Sequence, residues 1–137
     1  MIFWVLYIIS FPLLWYENFC VVLSVAERPP ILRSQTKQAI FWIVRLIITY
    51  GSIAGVWYVY GPLPAIVAFI VNYAFGRITF KMYFNREVRE IASYFIQKAK
   101  EEMQASGKLL DERRIKQEAF ESAKTIVVQN VRGSRLL

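Results

Sequence analysis

Residues Gln38 to Tyr60 read QAIFWIVRLIITYGSIAGVWYVY, and the reading of that stretch decides the fold. About 20 apolar residues, each rising about 1.5 Å, cross a hydrocarbon core of about 30 Å. One arginine, Arg45, interrupts the run. An arginine at the centre of a helix costs about 2.5–3.5 kcal/mol to insert. Against it, Ile40, Phe41, Ile43, Val44, Leu46, Ile47, Ile48, Ile53, Val56 and Val59 each return about 0.3–0.6 kcal/mol. The sum favours insertion. The segment is expected to span, at about residues 38–60, and its arginine needs a partner.

Working outward, Glu27 to Lys37 (ERPPILRSQTK) reads as a loop, because Pro29–Pro30 breaks a helix and three basic residues cluster there. Ser34 or Thr36 is placed to cap the helix that follows. Before the loop, Ile2 to Val25 is almost wholly apolar, interrupted by Pro12 and by Glu17–Asn18. It lacks the basic start and small-residue cleavage site of a secretory signal. The stretch therefore reads as a retained first helix over about residues 2–25, kinked or loosened near Pro12. A short re-entrant piece ending at Tyr16 is the alternative. On the other side, Gly61-Pro-Leu-Pro64 is a tight turn that opens a third helix over about residues 63–83. Arg77 lies about 21 Å along that helix and can snorkel to the far interface, as can Lys81.

Of the 137 residues, 56% are hydrophobic and 20% charged, against about 45–50% and about 25% in a soluble domain. Up to Lys81 there are six basic and two acidic residues; from Asn85 onward there are eleven and eight. The chain thus divides into a membrane domain, 1–84, and a polar tail, 85–137. There is no histidine, which removes the commonest metal ligand and general base. A single cysteine, Cys20, cannot form an internal disulfide. No P-loop, GxSxG, CxxC, HExxH or acidic metal cluster is present. The expectation is a protein that is not an enzyme, with no catalytic residue, cofactor or metal. In a membrane chain the net charge of +7 speaks for topology and anionic lipid heads rather than nucleic acid.

Three spans put the first loop and the tail on one side, and the loop and tail lysines and arginines all fall there. The positive-inside rule makes that side cytoplasmic, or the matrix or stroma of an organelle: N-out, C-in. Trp4, Trp57, Tyr58 and Tyr60 then form an aromatic belt on the opposite face. The expected setting is a bacterial or archaeal plasma membrane or an organellar inner membrane.

In the tail, Val88, Ile91, Ala92, Phe95, Ala99 and Met103 recur at helical spacing, and Gly107 is a natural stop. Asp111 can cap a second helix with Ile115, Ala119, Ala123, Ile126, Val127 and Val131 as its stripe. Together they read as an amphipathic helical hairpin. So small a unit is expected to leave apolar surface uncovered, so the stripe should dock on a membrane or a partner. Arg86 and Arg89, with Arg77 and Lys81, suit anionic lipid heads.

Inside the spans, Glu17 and Arg45 fall about 10–15 Å below the same surface on helices joined by a short loop. Matching depth predicts an intramembrane ion pair, most simply a structural one, with Asn72 able to join it. A lipid or partner contact for Arg45, or an ion path, are the alternatives. Gly51-Ser-Ile-Ala-Gly55 is a GxxxG motif whose flat face admits a close helix, either the chain's own third helix or a partner's.

These features together read as a non-catalytic accessory subunit of a larger membrane complex, such as a respiratory, photosynthetic or ATP-synthase assembly. The topology is similar to that of class I phage holins, which implies a self-assembling pore. A lone arginine among three spans resembles, in outline, the membrane-insertase group. That group carries its coiled coil between the first two spans, where this chain has an eleven-residue loop.

Overall fold

The computed structural model describes residues 1–24, 26–107 and 111–134, which are helical apart from short connections, with no strand among them. In order these are α1 (Ile2–Val21), α2 (Pro30–Arg33), α3 (Gln35–Tyr60), α4 (Pro62–Ser106) and α5 (Glu112–Ser134). Three of them, α1, α3 and α4, are long and apolar enough to cross a membrane. Three such helices suit a membrane protein.

The three long helices form one bundle. Phe3 meets Gly55 and Glu17 meets Arg45, so α1 and α3 run antiparallel. Tyr7 reaches Ala68 and Asn18 reaches Gly76, so α1 and α4 run parallel. Gly61 turns α3 into α4 at φ +91°, a value that only glycine adopts without strain. Pro62 then sits in the first turn of α4, where its missing N–H leaves no bond unmade. α1 passes through Pro12 without a break and continues beyond Tyr16.

Four expectations about the helices and their ends change. α1 stops at Val21, short of the expected end at Val25, a residue that lies outside those described. Arg28 provides the reason: it donates to the carbonyls of Leu23 (3.1 Å) and Val21 (3.5 Å), satisfying acceptors that a longer helix would have used. The loop after it contains one helical turn, α2, which Pro30 starts from the N1 position. Ser34 precedes α3 as its N-cap in extended conformation, but its side chain makes no capping bond. The largest change concerns the third span. No joint separates it from the tail: α4 is one helix of 45 residues, about 67 Å long. Residues Phe84 to Val88 include neither glycine nor proline, and Arg86 pairs with Glu90 across the junction at 3.0 Å. Gly107, at φ +69°, ends α4 in the left-handed conformation.

α5 packs along the polar half of α4. Asp111 caps it, its Oδ1 accepting from the Arg114 N–H at 3.3 Å. Val88, Ala92, Ala119, Ala123, Val127 and Val131 form a buried cluster that Val22, just past the end of α1, closes. The expected docking stripe is therefore largely covered from within. Val88, Ile115 and Val127 are buried, and Ile91, Phe95 and Ile126 are half-buried. Alanines at the contact let the two backbones approach, and the end of α1 adds a third wall that a two-helix unit lacks.

Candidate functional site: a polar crevice among the long helices

The interior of the bundle is made of small and polar side chains. Ser10, Thr49, Ser52, Asn72 and Thr79 are buried beside Ala65, Ala68 and Val56. Large apolar residues such as Ile8, Ile47, Ile66 and Ile70 point outward. In lipid, apolar surface is at home outside, and small residues let helices meet closely.

A ladder of hydrogen bonds joins α1 to α4. The Tyr7 hydroxyl donates to the Ala68 carbonyl (2.6 Å), and Asn72 Nδ2 to Ser10 Oγ (3.3 Å). Asn18 Nδ2 reaches both Thr79 Oγ1 (2.8 Å) and the Gly76 carbonyl (3.1 Å). Trp15 Nε1 donates to the Tyr83 hydroxyl. Between these rungs Gly76 leaves room for Leu14, whose Cδ2 would lie 3.2 Å from an added Cβ.

α1 and α3 are joined by charge. Arg45 Nε donates to Glu17 Oε2, and Arg45 Nη2 to Glu17 Oε1 at 3.4 Å. Both side chains are largely screened, at 11% and 17% exposure. A charge pair between two helices favours one register, because either charge left alone among apolar side chains is expensive. Asn72 goes to Ser10 instead, although it faces the same space.

That space is a crevice of about 590 Å³ between α1, α3 and the first half of α4. Its lining mixes polar residues, Glu17, Asn18, Arg28, Gln38, Arg45, Asn72 and Arg77, with apolar and aromatic ones, Phe41, Trp42, Ile43, Phe69 and Tyr73. Arg77 is exposed along it and, among the described residues, has no ion-pair partner. Lys81, Arg86 and Arg89 lie further along α4, also exposed, and Arg86 is engaged with Glu90.

The GxxxG glycines part company. Gly55 lies against the ring of Phe3, so α1 uses it rather than the third helix. Gly51 faces open space, with nothing within 4 Å of where a Cβ would be. At the opposite end, Trp57 and Tyr58 are exposed, and Trp4 and Tyr60 lie with ring centroids 6.0 Å apart.

Sequence reading did not single out Arg28. It is only 2% exposed, and besides the end of α1 it holds the Asn130 carbonyl of α5 at 3.1 Å. Asn130 Nδ2 answers by donating to the Val22 carbonyl at 3.3 Å. Burial lowers the pKa of Arg28 from its usual value, an effect that Cys20 partly offsets. In the sequence, Arg28 is one more basic loop residue beside a proline, and nothing local marks it. Asn18, Ser10 and Thr79 carried a weak signal, being polar residues inside apolar runs.

No family model, curated protein or solved structure matches the chain.

Proposed function

We propose that the protein is a non-catalytic subunit of a larger membrane assembly, oriented N-out and C-in, with residues 85–137 as a helical hairpin arm on the cytoplasmic or matrix side. The observation that carries this reading is the outer face of α3. Ile47, Gly51, Ala54 and Tyr58 follow one another at helical spacing and are all exposed, with a dent at Gly51 that none of the described residues fills. A dent of that kind lets a second helix approach closely, and lipid tails fill it less well. The sequence adds its lack of histidine and of any nucleophile motif. The partner surface thus moves from the tail, whose stripe is largely covered, to the membrane-embedded face of α3. Arg77, Lys81, Arg86 and Arg89 suit contact with anionic lipid heads on the same side as the arm. The outer surface of the spans is apolar, which weighs against a self-assembled pore.

Purification from native membranes in mild detergent, followed by mass spectrometry of co-eluting chains, tests the proposal. Stoichiometric partners are expected, and Gly51→Leu should release them while leaving the chain folded. A wild-type chain that elutes alone and monomeric would sink the reading.

A further inference from the structure

The crevice is not explained by helix packing. Its α3 wall runs from Gln38 to Tyr50, about 18 Å at helical rise. That is close to the depth of one leaflet, half of a hydrocarbon core of about 30 Å. Its lining is mixed in character. Three guanidinium groups, Arg28, Arg45 and Arg77, stand against the single carboxylate of Glu17. Phe41, Trp42, Ile43, Phe69 and Tyr73 on the same two long helices, α3 and α4, supply its apolar surface.

Two of the arginines are already engaged, Arg45 by Glu17 and Arg28 by backbone carbonyls. Arg77 is the remaining cation, exposed along the crevice, and the lining keeps an excess of positive charge. A ligand that matches such a lining is anionic at one end and apolar along its length. We propose that the crevice holds one anionic phospholipid of the leaflet on the arm's side. Its phosphate lies against Arg77 and the outer edge of Arg45, and an acyl chain runs along Trp42, Ile43, Phe69 and Tyr73. Guanidinium meets phosphate in a forked, charge-assisted geometry, and the net negative charge of the head, which a zwitterionic lipid lacks, is what the remaining cation selects. The inference rests on the membrane-spanning reading of the three helices and is independent of the subunit proposal.

The test uses the full-length chain reconstituted in vesicles of phosphatidylglycerol and phosphatidylcholine in equal amounts, then extracted in mild detergent for native mass spectrometry. One phosphatidylglycerol per chain is expected, retained over phosphatidylcholine by on the order of tenfold. Arg77→Gln, at an exposed residue, should bring that ratio close to one. Ala39→Trp should expel the lipid by filling the crevice that Ala39 lines. Arg113→Gln, on the exposed surface of α5, should change nothing.

Equal retention of the two lipids overturns the proposal, as does an unchanged ratio in both crevice variants. Release of the lipid by millimolar orthophosphate would show a site for free anion instead. A photoreactive group at Tyr73 that captures polypeptide rather than lipid would show a client-binding groove instead. A monomer that keeps its lipid would count against the subunit reading alone. Labelling that places both chain ends on one side of the membrane would instead remove the three-span basis.

Discussion

Along the first half of α4 the buried positions are Ala65, Ala68, Asn72 and Thr79; along the second half they are Val88 and Ala92. The outward positions exchange in the opposite sense. Leu63, Ile66, Val67 and Ile70 face out in the first half, and Arg86, Arg89 and Glu90 in the second. A single unbroken helix thus follows two packing rules, and the change falls at Phe84–Val88. The second half is held by excluding water from apolar surface. In the first half no such force acts between helices already in lipid, so close fit, hydrogen bonds and one ion pair must hold them. The same residue type therefore means different things on the two sides of the junction: a buried serine is glue in one half and would be a fault in the other.

The largest way to break this contrast is a charge in the arm's core. Val127→Asp buries an unpaired carboxylate where exposure is nil, and should cost about 3–5 kcal/mol. α5 should become protease-sensitive while the three long helices keep their far-ultraviolet signal; a protected α5 would mean that the cluster does not hold the arm.

Next comes the membrane half's own charge. Arg45→Ala takes the guanidinium away from a largely buried Glu17, and Glu17→Ala takes the carboxylate away from Arg45. Each should lower thermal stability in detergent by about 2–4 kcal/mol, with the double variant costing less than the sum. Additive losses in the cycle would show that the two groups do not interact.

A smaller effect separates the two glycines. Gly55→Ala forces the Phe3 ring to move and should cost about 1 kcal/mol, whereas Gly51→Ala meets nothing among the described residues and should gain about 0.5–1 kcal/mol in helix propensity. Thermal melting of the isolated chain distinguishes them, and equal shifts would remove the assignment of Gly55 to α1.

The smallest effect sharpens the boundary itself. Burial, with Glu27 and Glu90 nearby, raises the pKa of Glu87, and Arg86 opposes them. A raised carboxyl pKa means that the folded state prefers the protonated form. Stability is then greatest below the unfolded pKa and declines as pH rises through the folded one. Glu87→Gln should therefore raise the melting temperature slightly at pH 7 and leave it unchanged at pH 4, as melts at the two values would show.

Much of the fold could be read from residue types, because an apolar run of spanning length has few other uses. Gln38–Tyr60 and the Gly61–Pro64 turn lie within three residues of the observed limits of α3 and of the start of α4. The uninterrupted α4 could not be read this way. A fall in hydropathy at Asn85 looks like an element boundary, although the backbone there has no reason to stop. Depth counted from a short loop brought Glu17 and Arg45 onto one level, and their side chains do touch. The crevice and the Arg28–Asn130 link lay beyond the sequence. The link joins residues 102 positions apart, and the crevice is a property of three helices at once.

The missing joint in α4 has a mechanical consequence. Beyond Phe84 the helix continues through Ser106, about 33 Å of rod fixed to the spanning part below it. Helices tilt to match bilayer thickness, and a change of about 10° at the base swings the far tip by about 6 Å. With the first half of α4 spanning, a thicker or thinner lipid sheet would be converted into a lateral displacement of the far tip.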